Sequence, residues 1–332
     1  MTLDGPYFDD FSVGQVLPTA PAITIDEGVA AQYQAICGDA LRPSLSLPMA
    51  EAITGVDHAL VNPALVMHVA IGQSTVATRQ VIANLFYRDV RMHKASRVGT
   101  TLTTSVTIVA LAEASHKAGR PPRGKVVLGI QTIDEQGEVV VDFERCALLP
   151  FRDRDASPSG QADEIGSAEV DLDLALWHEW VPDDWDLTAL GDPTDWQIGE
   201  TRTDPLSDTV TNAVELVRLT QNQAVIHRDA SRSRNGKRLV YGGHTIGLAQ
   251  ASLTRLLPTA ATVIGWHSCD HLAPVYENDV LSFQITLTAE DNTPTGRLLA
   301  FAVVVQAHRY GPEGQRGETS TVLEWRPVVL AV

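Results

Sequence analysis

Cysteine is scarce in this chain: three among 332 residues, Cys37, Cys146 and Cys269. Their odd number and wide spacing exclude a disulfide framework and fit a reducing compartment. No apolar run approaches the ~20 residues that a membrane-spanning helix needs. The opening residues, Met1-Thr-Leu-Asp-Gly-Pro-Tyr7, have neither the basic start nor the apolar core of a signal peptide. A cytoplasmic protein is the expectation. Basic charge is also short, 25 Lys and Arg against 41 Asp and Glu, for a net charge of −16. General nucleic-acid binding, which needs a basic footprint, is disfavoured. Walker loops, GxGxxG, GxSxG and CxxC pairs are missing, so nucleotide hydrolysis, dinucleotide cofactors, serine esterase chemistry and zinc ribbons lack support.

What is present is an internal repeat. Asp10-Phe-Ser-Val-Gly14-Gln15 matches Asp195-Trp-Gln-Ile-Gly199-Glu200. Helical spacing follows each, in Val29, Tyr33 and Ile36 and again in Val210, Val214 and Val217, with Asp26 and Ser207 as expected N-caps. A polar loop comes next, Cys37-Gly38-Asp39 through Pro43 in one copy and Gln221-Asn222 through His227 in the other. Pro63 and Gly242 then open long apolar helices. Strand-like runs follow: Thr101 to Leu111, Val126 to Ile133 and Glu138 to Leu149, mirrored by Val280 to Leu287, Leu298 to Arg309 and Thr319 to Trp325. Hairpins are expected around Asp134–Gly137 and Gly311–Gly314. Residues 1–150 and 178–332 thus form two like units. The Pro/Gly/Ser-rich, acidic segment 151–177 is expected to link them. Each unit reads as α+β, an antiparallel sheet wrapped around one long helix.

The second loop carries most of the chemistry. Asn222 and His227 stand five residues apart. After His227 come Arg228, Arg232, Arg234, Lys237 and Arg238, five cations with one anion in eleven residues of an acidic protein. We expect an anion site there. Arg88, Arg91, Lys94 and Arg97 form a second group, expected to be solvated loop charge. Trp266-His267-Ser268-Cys269-Asp270-His271 contains metal-ligand residue types. Alternate residues of a strand face opposite ways, however, so these side chains would not converge, and no metal is expected.

The loop followed by Val240-Tyr-Gly-Gly-His244-Thr resembles the signature of the MaoC-like, R-specific enoyl-CoA hydratases: Gly-Asp-x-Asn-Pro-x-His-x-Asp, then His-Gly at the start of a long helix. His227 and Asp229 fall on the pattern's His and second Asp. Its catalytic Asp falls on Asn222, its Asn-Pro on Ala224-Val225, and its helix Gly on Thr245. The resemblance covers nearly the whole chain as a tandem, or double, hotdog fold. The segments around Gly242 and Trp266–Pro274 resemble the mesaconyl-CoA (methylmalyl-CoA) hydratase branch and its actinobacterial relatives.

That resemblance implies a hydro-lyase acting on an enoyl-CoA or 3-hydroxyacyl-CoA, with a short, branched or dicarboxylic acyl group and no cofactor beyond the CoA thioester. His227 and Asn222 would handle the water. Backbone amides at Gly243, His244 and Thr245 would hold the thioester oxygen, since a helix start favours negative charge. The basic cluster would meet CoA phosphates. Asn222 cannot exchange a proton readily. Three accounts stay open: His227 works alone with Asn222 placing water, a carboxylate from elsewhere substitutes, or the site binds acyl-CoA without turnover. A hotdog thioesterase is a further alternative. Asp39 fits the pattern's Gly-Asp but has Ser44 where the His belongs, so the first copy is expected to be non-catalytic, with His68 as core or cap. The protein is expected to be a monomer or homodimer that binds neither nucleic acid nor membrane.

Overall fold

Helical and two-residue periodicities in the sequence become helices and strands laid out twice. The computed structural model describes all residues except 1–3, 116–118, 156–159, 167–170, 234–235 and 311–314. The hairpin expected at 311–314 and the cation Arg234 therefore lie outside the described residues.

The first unit opens with strand β1 (Ile23–Thr24) and helix α1 (Glu27–Cys37). The Asp26 carboxylate accepts from the Val29 N–H, and Gly38 ends the helix at φ 63°. Two short helices, α2 (Arg42–Leu45) and α3 (Leu47–Thr54), lead to the central helix α4 (Pro63–Ser74). Strands β2 (Ala83–Met92), β3 (Thr101–Glu113), β4 (Arg123–Ile133) and β5 (Val139–Pro150) follow. The second unit contributes β6 (Thr201–Thr203), β7 (Asp208–Thr209), α5 (Ala213–Leu219) and the central helix α6 (Gly242–Leu256). It ends with β8 (Ala260–His271), β9 (Val280–Asn292), β10 (Arg297–Tyr310) and β11 (Arg316–Ala331).

These strands form one antiparallel sheet in the order β1-β3-β4-β5-β2-β8-β11-β10-β9-β6, with β7 also on β9. The two halves mirror each other about the β2–β8 seam, where Phe86 faces Asp270 and Arg91 faces Gly265. The seam strands, β2 and most of β8, escape the alternation pattern; in β2 two register shifts, one of them at Asp89 with φ 50°, interrupt the period. All twelve residues of α4 are buried inside the curled sheet. Contact between units is close enough to demand small residues. A Cβ on Gly72 of α4 would lie 1.7 Å from the Thr220 carbonyl oxygen.

Hydrogen bonds confirm the repeat atom by atom. Gly14 N–H donates to Ile108 O and Gly199 N–H to Leu287 O, each at φ above +79°. Val61 N–H bonds Ser96 O, as Val240 N–H bonds Val275 O. Leu65 N–H bonds Asn62 O, as His244 N–H bonds Tyr241 O. This register pairs His244 with Leu65, so His68 and His244 are not equivalent in the two units.

Three other expectations change. The second helix begins at Ala213, not after Ser207, because Asp208 and Thr209 are drawn into pairing with β9. The Arg88 group is not loop charge: Arg88 and Arg91 lie on β2, Arg88 pairs with Asp270 at 2.7 Å, and Lys94 pairs with Asp134 and Glu138. The segment expected as a linker ends in a 3-10 helix, Leu174–Trp180, whose Leu174 and Trp177 pack on Ile264 and Val328.

Candidate active site

The second polar loop lies where α5 ends and the chain turns toward α6. Gln221 takes φ 57°, which lets the loop reverse onto α4. Asn222 is buried, and its Oδ1 accepts from the Ala224 N–H at 2.9 Å. The Gln223 N–H donates to Thr75 Oγ1 at 2.7 Å, which ties the loop to the end of α4. The backbone oxygen of Asn222 takes two bonds from the Arg228 guanidinium, at 2.9 and 2.6 Å.

A short 3-10 turn, Val225–His227, then aims His227 into a cavity of about 400 Å³. Its Nδ1 lies 3.0 Å from the Leu239 carbonyl. A carbonyl only accepts, so Nδ1 carries the proton and Nε2 keeps a lone pair. Burial lowers the pKa to about 4, assisted by the nearby Arg145 cation, so the imidazole is neutral at pH 7. Asn222, Thr245, Tyr241 and Gly242 share the cavity wall. No Asp or Glu does. The account in which another carboxylate replaces the missing one therefore has no residue to supply it among those that line the cavity.

Helix α6 begins at this wall with no side-chain cap. The His244 N–H already bonds Tyr241 O at 2.9 Å, whereas the N–H groups of Gly242 and Gly243 have no acceptor among the described residues. Those two amides, in the positive end of the helix dipole, are the donors available to an anionic oxygen. Of the three residues expected there, Thr245 reaches the cavity. Gly243 packs beneath Tyr241, where a Cβ would come within 2.5 Å of the ring. The His244 side chain is buried, its pKa held at about 4 by burial, and it acts on His68 rather than on the cavity.

The described members of the expected anion cluster do not converge as one site. Arg228 is engaged by Asn222 O, and Arg232 reaches Gln80 Oε1 at 3.3 Å. Arg238 is paired with Glu277, and Lys237 sits 5.9 Å from the Tyr276 ring centre, in a separate cavity.

Other residues in the wall were not singled out by sequence. His271, weighed earlier only as a metal ligand, turns its ring onto Gly242, where a Cβ would lie 2.5 Å away. Its Nε2 is buried without a partner, and burial lowers its pKa to about 4. Among the described residues, no three His, Cys, Asp or Glu side chains gather to hold a metal. Arg145 of β5 is buried at 3% exposure and also lines the cavity. Its signal was legible. Val141, Phe143, Arg145, Ala147 and Leu149 occupy one inward strand face, so a cation stands where an apolar residue belongs.

The first unit builds the same loop differently. The Leu41 N–H bonds Asp39 Oδ1 at 3.0 Å, and the Ala40 N–H donates to Thr254 Oγ1 of α6 at 3.2 Å. These match the bonds at Ala224 and Gln223, so Asp39 and Asn222 hold equivalent positions. Asp39 further accepts from Asn62 Nδ2, Gln250 Nε2 and Thr254 Oγ1, and is fully buried. It meets the C-terminal half of α6, about 12–18 Å along the helix from Gly242 at 1.5 Å per residue, and cannot reach His227. His68 is core, between the Tyr33 and Tyr241 rings.

No family model matches the chain. Among solved structures, a conserved hypothetical protein from Mycobacterium tuberculosis, described as having a double hotdog fold, is 39% identical with TM-score 0.88 over 100% of both chains. A putative MaoC domain protein dehydratase from Chloroflexus aurantiacus J-10-fl is 25% identical with TM-score 0.82, over 99% of this chain and 98% of that one. Mesaconyl-CoA hydratase from Cereibacter sphaeroides is 28% identical over 328 residues, 96% of this chain and 94% of the relative.

Proposed function

The chain belongs to the MaoC-like double-hotdog family, and from that premise we propose that it reversibly hydrates a 2-enoyl-CoA thioester to the 3-hydroxyacyl-CoA. The observation that carries this is the pairing, at one cavity, of a neutral imidazole lone pair on His227 with uncapped amides at the start of α6.

The thioester oxygen accepts from the Gly242 and Gly243 N–H groups, which stabilise it as enolate charge develops. His227 Nε2 takes a proton from water, and the hydroxide adds to C3. The resulting imidazolium returns that proton to C2, so one base closes the cycle and no carboxylate is needed. Asn222 holds the water through its side-chain amide. Low pKa makes His227 a weak base but leaves it unprotonated throughout the neutral range. The mesaconyl-CoA relative points toward short, branched or dicarboxylic acyl groups. We propose that the protein needs no cofactor beyond the CoA ester and works in the cytoplasm; no described helix is long and apolar enough to cross a membrane.

The test is hydration of crotonyl-CoA and fumaryl-CoA by purified protein, followed by loss of enoyl absorbance and by free-thiol release. Enoyl loss without thiol release supports the hydratase. Thiol release makes the protein a thioesterase. Binding without turnover leaves an acyl-CoA-binding protein.

A further inference from the structure

Arg145 is a buried guanidinium with no carboxylate beside it. The described ion pairs of this chain bring in its other well-placed arginines, Arg88, Arg255 and Arg309 among them, but not Arg145. Its Nη2 donates to Thr78 Oγ1 at 2.6 Å and to Ser74 O at 3.4 Å, at the C-terminal end of α4. The Tyr87 hydroxyl interacts with it as well. Its Nε is buried and unpartnered. Asn84, across the β2–β5 pairing and on the same cavity wall, has both side-chain amide atoms buried and unpartnered. Buried polar atoms are almost always bonded, and a buried cation without a counter-charge is costly. Both residues line the cavity that also holds the candidate base, and their unpaired donors suit an anion.

We propose that Arg145 and Asn84 receive a carboxylate on the acyl group, which makes this site selective for 2-enoyl-CoA esters of dicarboxylic acids. The inference rests on the hydratase reading of the same cavity. Arg145 donates to one oxygen from Nε alone, its Nη2 being held by Thr78 and Ser74, while Asn84 Nδ2 donates to the same group. A neutral alkyl end would leave these donors stranded, so discrimination against it is large, as for any site built around a polar substrate group. His227 and Arg145 line the same cavity, so a carboxylate received by Arg145 and the reacting carbons beside His227 would occupy one space.

Fumaryl-CoA and crotonyl-CoA form the decisive pair, since they differ by carboxylate against methyl on one four-carbon enoyl chain. The wild type is expected to favour fumaryl-CoA in kcat/KM by about 10²-fold or more. In Arg145→Met the ratio of the two kcat/KM values falls by about 10²-fold, mainly through KM, and Arg145→Lys restores part of it. Succinyl-CoA and butyryl-CoA, which cannot be hydrated, give the same comparison as dissociation constants by calorimetry. A preference for succinyl-CoA that Arg145→Met abolishes supports the inference even if no enoyl ester turns over, in which case the hydratase reading alone falls. Equal handling of both members of each pair by the wild type overturns the inference. So does a variant that folds, by its thermal midpoint, and loses both substrates in equal measure. Should Arg145→Met fail to fold, Asn84→Leu and the wild-type pair comparison decide.

Discussion

Asp39 and Asn222 sit on loops that share their backbone hydrogen bonds and differ in everything around them. The first loop is closed. Asp39 has Asn62, Gln250 and Thr254 as donors, Pro63 begins α4 without an N–H, and Asn62 Oδ1 occupies the Ala64 N–H. The second loop is open. Tyr241 replaces Asn62 in the register, glycines replace Pro63 and Ala64, and the helix start faces a cavity. In the first unit this position is a carboxylate, and it ties the two units together. In the second it is an amide, with an imidazole and free amides beside it. A motif residue alone therefore does not mark the proposed site, which rests on unpaired donors facing a cavity.

Four experiments would break or sharpen this contrast. His227→Ala should lower kcat for hydration by about 10²–10⁴-fold, with the thermal midpoint nearly unchanged, because it removes the proposed base. A variant that kept wild-type rates would move the chemistry to His271.

Asp39→Ala should leave turnover per folded molecule intact while costing about 3 kcal/mol in chemical denaturation, since four donors lose their acceptor in the core. Loss of activity at unchanged stability would instead make the first loop part of the site.

Asn222→Asp keeps the bond to Ala224 and adds a proton-exchanging group. Hydration should rise by roughly 10-fold, short of the ~10²–10⁴-fold that a well-placed acid–base group supplies. No rise would mean that the loop no longer presents this side chain to water.

The remaining test is pH. His68, His227, His244 and His271 are buried with pKa values lowered to about 3 or 4 by desolvation. The unfolded chain takes up these protons below about 6.5 and the folded chain refuses them, so stability is full above that pH and declines as pH falls toward 4. Denaturant midpoints at pH 7.5, 6 and 5 should show the decline. The acid limb of kcat/KM should lie near pH 4, the value for His227, not near 6.5.

Much of this molecule was legible in its residues. Period-2 and helical spacing placed β3, β4, β5, β9, β10 and β11 and both central helices, because one buried face imposes its pattern on the chain. The repeat was visible in Asp10–Gln15 and Asp195–Glu200, since equivalent turns need equivalent glycines. His227 and Asn222 stood out by local spacing within one loop. Which residues strand pairing would bring to the cavity did not stand out. Arg145, Asn84 and His271 come from β5, β2 and β8, up to 187 positions apart in sequence (271 − 84), and only the seam between repeats sets them around one cavity. Nor could spacing reveal that Arg228 would spend its charge on a carbonyl or that Arg238 would find Glu277. Sequence determined the two-fold architecture, because that depends on local periodicity, and the resemblance of one loop to the hydratase signature picked out the candidate base. Tertiary structure decided which loop is open and which cation lacks a partner, because exposure and pairing belong to the packed molecule as a whole.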